Sequence, residues 1–518
     1  MDKRPLVLWA DDEIEMLRPH IMFLESHGYD LITVNNGLEA IEKSASLGVD
    51  VVILDEHMPG ISGLRTLLII KEKNPHLPVI MITKSEEEDI MEKAIGSKIS
   101  DYLIKPVNPR QILSSLKKIT MGGRLVSEMS ASRYTADFSE ISALIGKCET
   151  LADWQFLYER LVYWQSELKT TLPGETIEPM HEMVENQMFE AEKMFFRFVK
   201  GNYRLFLDDT DMPMSHRVLE KHIVPRMESG DKPWLIVIDN FRLDQWYAIR
   251  GMISAEFRIN EDIAFSILPT STQYARNALF AGLLPAEIKR AYPHLWIDEF
   301  QEESKNRHEE QLLRMFFNRK GIEADIFYTN LSDSDSCRRL LKNFDAIAAK
   351  DLKAIVINFI DMMSHERTHS KAIRELSLTG AGYLSLTQSW FRHSPVGELF
   401  ARIAESGGTV VLTTDHGTIR VSRPVKVKAD KSSSDTLRYK VGRNMKFDSK
   451  DVMEALSPQS IGLPSPAMAS SYIFASGSDF FVYQNNYNQY VKLFDGTYQH
   501  GGISMQEMIV PLITLTPK

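Results

Sequence analysis

A chain of 518 residues is too long for one hydrophobic core, so roughly two to four domains are expected. Charged residues at 25% and apolar residues at 43% are ordinary globular composition, and a net charge of -10 argues against a protein that lives on nucleic acid, whose phosphates reward a basic surface. Cys148 and Cys337 lie far apart without a CxxC spacing, which excludes a disulfide framework and a thiolate zinc site, and no apolar run approaches the roughly 18 residues that span a bilayer. The apolar run after Met1 is too short for a signal-peptide core, so the expectation is a cytoplasmic protein without membrane insertion.

Leu6 to Ala10 reads as a buried strand ending in Asp11-Asp12, Val51 to Leu54 as one ending in Asp55, Val79 to Ile82 as one ending in Thr83, and Tyr102 to Ile104 as one ending in Lys105-Pro106. Helical patterns at Ile14 to His27, Gly37 to Leu47 and Gly63 to Lys73 alternate with them, which predicts a parallel sheet with helices on both faces. Polar residues at successive strand ends converge on one sheet edge. Three carboxylates there can hold Mg2+, Asp55 can attack a phosphoryl donor, and Thr83 and Lys105 can bond the phosphoryl oxygens. This set, with Met58-Pro59-Gly60 and Gly63 after Asp55, resembles the flavodoxin-like receiver domain of two-component response regulators. The resemblance implies Asp55 as phosphoacceptor, Asp11, Asp12 and Asp55 around Mg2+, Tyr102 as the aromatic that responds to phosphorylation, and a sensor histidine kinase as partner. Lys84, where receivers carry a small residue, departs from the pattern.

After the helical stretch Pro109 to Ile119, Met121-Gly122-Gly123 is expected to interrupt the chain, with a receiver domain over 1–122 and a helical bundle linker over 123–205. Phe138 to Ile145, Leu151 to Leu172 and Ile177 to Val199 read as helices, with Pro173-Gly174 as a break. Trp154, Leu157, Leu161 and Trp164 recur at helical spacing, as do Met188, Ala191, Phe195 and Phe198, so these faces pack as core. No basic recognition helix of a DNA-binding regulator is visible.

In residues 206–518, Trp234 to Ile238 is a strand ending in Asp239-Asn240-Phe241-Arg242, and Ala264 to Leu268 is a strand followed by Pro269-Thr270-Ser271-Thr272 and the helical Tyr274 to Ala281. Ala354 to Ile360 is a strand ending in Asp361, with His365 four residues on, and Val410 to Thr413 delivers Asp415-His416-Gly417. His500 precedes Gly501-Gly502. One sheet edge can gather Asp239, Asp361, Asp415, His365, His416, His500 and Thr272, enough for two zinc ions with open positions. Each piece also has a plain reading: Thr272 as a helix cap, Asp361 with His365 as a surface pair, with His369 a spectator or a substitute ligand, and His500 as loop chemistry.

The pattern resembles the alkaline phosphatase superfamily, an α/β fold, and the stretch Tyr498-Gln499-His500-Gly501-Gly502-Ile503-Ser504 resembles its PglZ branch. That resemblance implies one zinc ion on Asp239, Thr272, Asp415 and His416, a second on Asp361, His365 and His500, and Thr272 as nucleophile. Arg276 and Asn277, one turn beyond Thr272, are the substrate candidates; the threonine nucleophile leans toward phosphodiesters such as nucleotides or oligonucleotides. Ala429 to Arg438, serine-rich and flanked by Arg423, Lys426 and Lys428, reads as a mobile surface loop or a lid.

Receiver, helical linker and PglZ-type domain in this order resemble the response regulators of the type IX secretion system. The resemblance implies a homodimer influenced by phosphorylation or zinc and a sigma factor as a further partner. The alternative is a zinc-stabilised dimerisation or interaction module that binds a sigma factor or promoter DNA without turnover.

Overall fold

The computed structural model describes residues 4–75, 77–83, 99–120, 122–170, 178–363, 380–430, 433–447, 450–467, 469–483 and 487–518. They form two compact units, Met1–Ala136 with Glu167–His181, and Asp137–Ser166 with Glu182–Lys518.

In the first unit, strands β1 (Leu6–Ala10), β2 (Asp30–Val34), β3 (Val51–Asp55), β4 (Val79–Thr83) and β5 (Asp101–Ile104) pair in the order β2-β1-β3-β4-β5. Every pair is parallel. The central strands β3 and β4 are buried along their whole length, which is why their sequences are unbroken apolar runs. The edge strand β2, Asp-Leu-Ile-Thr-Val, buries only Val34 and has no such run, so it carries no strand signal in the sequence. Helices α1 (Arg18–Ser26), α2 (Gly37–Ser46), α3 (Gly63–Lys73) and α4 (Pro109–Thr120) complete the layers. The expected helix Ile14 to His27 divides into a 3-10 turn, Ile14–Leu17, and α1, because Pro19 suits a first helical turn and no later position. Asn36 and Ser62 cap α2 and α3, accepting from the amides of Glu39 at 2.9 Å and Arg65 at 3.3 Å.

The linker is helical: α5 (Gly122–Ile145), α6 (Leu151–Thr170) and α7 (Glu178–Asp208). Gly122 and Gly123, expected as part of an interruption, open α5, and Met121 before them lies outside the described residues. Two glycines cost about 1 kcal/mol each in a helix but bar nothing sterically, and burial of Tyr134 and Ile141 further along outweighs them. The Pro173-Gly174 break lies outside the described residues. The stripes on α6 and α7 are core as expected: Trp154 is buried and meets Phe195 edge-on at 5.4 Å and Phe198 at 5.8 Å. No helix among the described residues is long and apolar enough to cross a membrane.

The larger sheet of the second unit contains β6 (Trp234–Ile238), β7 (Phe257–Phe265), β8 (Ile326–Leu331), β9 (Leu352–Ile357), β10 (Val410–Thr413) and β11 (Ile509–Pro517), in the order β7-β11-β10-β6-β9-β8. Strands β10, β6, β9 and β8 run parallel, and β11 and β7 close one side antiparallel. Two expected strands are corrected. Of the one expected over Ala264 to Leu268 only Ala264 and Phe265 are strand, the tail of β7, whose first six residues alternate or face solvent at the sheet edge and so lack an apolar signature. The one expected to run to Asp361 stops at Ile357; residues 359–363 are helical, with the amide of Met362 donating to the Asn358 carbonyl at 3.0 Å, so Asp361 sits in a helical turn.

The serine-rich stretch is corrected as well. Among its described residues Ser433, Ser434 and Arg438 are buried, with Ser433 Oγ 2.8 Å from the Tyr483 hydroxyl. Serine hydroxyls paired inside the fold look, in sequence, like those of a solvated loop.

Candidate metal centres and the nucleophile turn

At the carboxyl edge of the receiver sheet, Asp11 and Asp12 follow β1, Asp55 and Thr83 end β3 and β4, and Lys105 follows β5. Ligand oxygens of Asp11, Asp12 and Asp55 lie within 4.8 Å of one another, with Asp12 exposed and the other two buried. Lys105 Nζ reaches Asp11 at 2.8 Å and Asp55 at 3.1 Å, and its backbone amide donates to the Thr83 carbonyl at 2.7 Å. Burial raises the Asp55 carboxyl above its ordinary range, with Asp11 and Asp12 adding repulsion and Lys105 opposing it. Three carboxylates around one lysine are an oxygen set that fits Mg2+. Tyr102 packs half-buried against the sheet core. Lys84 lies outside the described residues.

The second centre forms where β6, β10 and the turn before helix α8 (Thr272–Ala281) meet. Asp239, Asp415 and His416 are buried, and one ligand atom of each lies within 4.8 Å of the others. His416 Nδ1 is 3.0 Å from the Gly417 carbonyl. A carbonyl can only accept, so Nδ1 carries the proton, and burial, which lowers the imidazole pKa, keeps the ring neutral. Nε2 therefore presents a lone pair, 3.0 Å from Thr272 Oγ1 and 3.6 Å from Asp415 Oδ2. Thr272 Oγ1 also lies 3.5 Å from Asp239 Oδ1. Ser271, not Thr272, occupies the helix N-cap, so the Thr272 hydroxyl is not spent on capping.

Glycine at 417 has a steric reason. A Cβ there would stand 2.1 Å from the Gln506 carbonyl, and its amide donates to the Glu507 carbonyl at 3.0 Å. Asn240, directly after Asp239, adopts φ 62, a left-handed conformation that asparagine tolerates better than other non-glycine residues, and its Nδ2 donates to Asp361 Oδ1 at 3.2 Å. Asp361 thus stands beside the cluster. His500 stacks on His416 with centroids 4.4 Å apart, and its Nδ1 is 3.2 Å from the Thr270 carbonyl. His365 and His369 lie outside the described residues.

Both substrate candidates are engaged elsewhere. Arg276 is buried; Nη1 donates to Asp239 Oδ2 and, at 3.3 Å, to Asn358 Oδ1, while Nε donates to Glu309 Oε1 at 2.6 Å. Asn277 Nδ2 donates to the Gln273 carbonyl at 2.8 Å and the Lys305 carbonyl at 3.1 Å. Helical spacing from Thr272 puts Arg276 on the right face, but the carboxylates beneath that face claim the guanidinium. Its effect is to hold one oxygen of Asp239 and leave Oδ1 turned to Thr272 and His416. Glu309, Asn358 and Asn240 escape a sequence reading because none sits in a motif; only Asn240, in Asp-Asn-Phe-Arg after a strand, carried a hint.

Burial raises the carboxyls of both Asp239 and Asp415, each opposed by Arg276 and reinforced by Asp361. A single guanidinium set against Asp239, Asp415 and Glu309 leaves buried negative charge in excess, and Asp415 Oδ2 has no hydrogen-bond partner among the described residues. Two carboxylate oxygens and an imidazole lone pair around that excess fit a divalent metal ion.

Comparison with known proteins finds three families along the chain. Residues 7–117 match the response regulator receiver domain family, residues 124–207 the PorX response regulator linker domain, and residues 218–515 the BREX system PglZ alkaline phosphatase-like domain. The alkaline phosphatase synthesis transcriptional regulatory protein PhoP of Bacillus subtilis is 28% identical over 173 residues, 33% of this chain and 68% of that protein. The transcriptional regulatory protein ResD of the same organism is 32% identical over 139 residues, 26% of this chain and 58% of that protein. The chain thus spans only part of the length of these relatives. A CheY-like receiver domain structure from Methanospirillum hungatei covers 22% of this chain and 93% of its own, at 23% identity and a TM-score of 0.22. A receiver domain implies a cognate histidine kinase. With the match over residues 218–515 taking in more than half of its length, the chain belongs to the PglZ alkaline phosphatase-like family and is built as a PorX-like response regulator.

Proposed function

We propose that the chain is a response regulator phosphorylated on Asp55 by its histidine kinase, whose output is a zinc-dependent phosphodiesterase with Thr272 as nucleophile, acting on nucleotide or oligonucleotide diesters. The carrying observation is the Thr272 hydroxyl at the start of α8, uncommitted to capping and 3.0 Å from the His416 lone pair. Asp239, Asp415, His416 and Thr272 would hold one zinc ion and Asp361, His365 and His500 the second. Bound zinc supplies Lewis-acid chemistry, lowering the pKa of the hydroxyl and drawing charge from the phosphoryl oxygens. Thr272 Oγ1, its proton passing to solvent, attacks phosphorus as the bond to the leaving alkoxide breaks and the alkoxide takes a proton from water; water then cleaves the phosphothreonine ester and restores the hydroxyl, with the N-terminal amides of α8 facing the charge that develops. Asp239, clamped by Arg276, keeps the hydroxyl oriented.

Commitment of Arg276 to Asp239 and Glu309 favours diesters over monoesters, because a monoester brings an extra charge that the nearest cation in sequence is not free to meet. The Mg2+ of the receiver belongs on Asp11, Asp12 and Asp55, with Thr83, Lys105 and Tyr102 responding to the phosphoryl group. A role in type IX secretion, a homodimer and a sigma-factor partner complete the proposal. The test is zinc content followed by hydrolysis of bis(p-nitrophenyl) phosphate against p-nitrophenyl phosphate. Zinc-loaded wild type that matches Thr272→Val on both esters would refute nucleophilic catalysis and leave the interaction module standing. PhoP and ResD are named transcriptional regulators; sequence-specific DNA binding that persists in about 200 mM salt would favour that role over turnover.

A further inference from the structure

The turn carrying His500 is fixed from three sides. The Gly501 amide donates to Thr270 Oγ1 at 3.0 Å, Thr270 Oγ1 donates to the Gly502 carbonyl at 2.9 Å, and the Gly502 amide donates to Glu507 Oε1 at 2.8 Å. Glu507 is wholly buried; Oε2 accepts from Ser504 Oγ at 2.6 Å and from Arg438 Nη2 at 2.5 Å, while Arg438 Nε reaches Oε1 at 3.2 Å. Arg438 is itself fully buried, its Nη1 donating to the Asp479 carbonyl. Glu507 belongs to the short helical turn Met505–Met508, and the same segment presses Gln506 against Gly417, next to His416. Thus residues 504–508 touch both histidine turns of the site.

What anchors that segment comes from the linker. Glu192, on α7 and 4% exposed, accepts the Met505 amide on Oε2 at 2.9 Å, across more than three hundred residues of chain. We propose that Glu192 is a positioning residue of the output site: it holds the Ser504–Met508 turn, which through Glu507 sets His500 and through Gln506 and Gly417 sets His416. The helical linker is therefore a structural part of the site. This rests on the reading of Asp239, Thr272, Asp415, His416 and His500 as the hydrolytic centre. Burial, with the Glu507 charge nearby, raises the Glu192 carboxyl to about 8, so glutamine is a close replacement for the protonated side chain and keeps the acceptor.

The test compares Glu192→Gln, Glu192→Asp and Glu192→Leu in the full-length chain. Amide hydrogen exchange of the metal-free protein is read at 498–508 and 414–420, and kcat and KM of the zinc-loaded protein are measured on bis(p-nitrophenyl) phosphate. Loss of one buried hydrogen bond to an ionisable acceptor predicts exchange faster by about 10-fold or more at 498–508 in Glu192→Leu, with kcat falling and KM little changed. Glu192→Gln should restore most of the protection, and Glu192→Asp, which retracts the carboxylate by one methylene, should fall between. Should Glu192→Leu not fold, the aspartate and glutamine variants decide the matter alone. Equal exchange in Gln and Asp variants, or protection lost equally across β6 and β10, would overturn the proposal. Wild type without hydrolysis would overturn the proposed activity, while the exchange pattern would still decide the role of Glu192.

Discussion

Replacing Arg276 with methionine, which keeps the bulk and removes the charge, tests the electrostatic reading of the output centre. Arg276 gives Nε to Glu309 at 2.6 Å and Nη1 to Asp239 and, at 3.3 Å, to Asn358, all out of solvent. Breaking a buried ion pair by removing one partner costs about 3–5 kcal/mol, because the partner's charge stays behind uncompensated. For a unit of this size roughly 1–2 °C accompanies each kcal/mol, so the metal-free protein should melt about 3–10 °C lower. The assay is calorimetric melting of the variant and wild type, without metal and then with zinc. Zinc should raise the melting temperature of Arg276→Met more than that of wild type, since a divalent ion can take over compensation of Asp239. A variant that melts with wild type in both states, yet loses monoester hydrolysis selectively, would refute the reasoning and return Arg276 to a substrate-binding role.

Other outcomes follow from the same geometry. Because the folded-state pKa of Glu192, about 8, lies above the ordinary glutamate value of 4.5, the folded state keeps a proton that the unfolded chain releases; its contribution is full below about pH 4.5 and is lost as pH rises through 8. Glu192→Gln should therefore gain in melting temperature relative to wild type between pH 5 and 8, with a ceiling of roughly 5 kcal/mol at 1.36 kcal/mol per unit, and a gap that does not change with pH would contradict the burial of that carboxyl. Thr272→Val should abolish diester hydrolysis by about 100-fold or more while zinc is retained on Asp239, Asp415 and His416, checked by metal analysis beside turnover. Asp55→Asn should take up no phosphoryl group from acetyl phosphate, and labelling elsewhere in the receiver would show that another residue accepts it. A chelator should lower the melting temperature of the second unit through loss of bound-state stabilisation, by about 2.7 kcal/mol if zinc stood at a hundredfold over its Kd.

Much of this protein is written locally. The runs at Val51, Val79, Trp234 and Val410 are apolar because their strands are buried on both faces, and the acidic and imidazole residues stand at their ends because a parallel sheet opens its carboxyl edge to chemistry. The edge strand β2 and the first seven residues of β7 were not legible, since a strand with one face in water needs no apolar run. Nor was the serine-rich stretch, whose hydroxyls find buried partners that composition cannot predict.

The order of the domains and the residue types at the sheet edges could thus be read along the chain, because both depend on neighbours a few positions apart. Which partner each charge finds was decided only by the tertiary structure. Arg276 lies one turn from Thr272 yet belongs to Asp239 and Glu309, Arg438 lies in a polar run yet neutralises Glu507, and Glu192 in the linker reaches Met505 in the output fold. A buried charge takes the nearest opposite charge or amide in space, and between residues tens to hundreds of positions apart that distance exists only once the chain has folded.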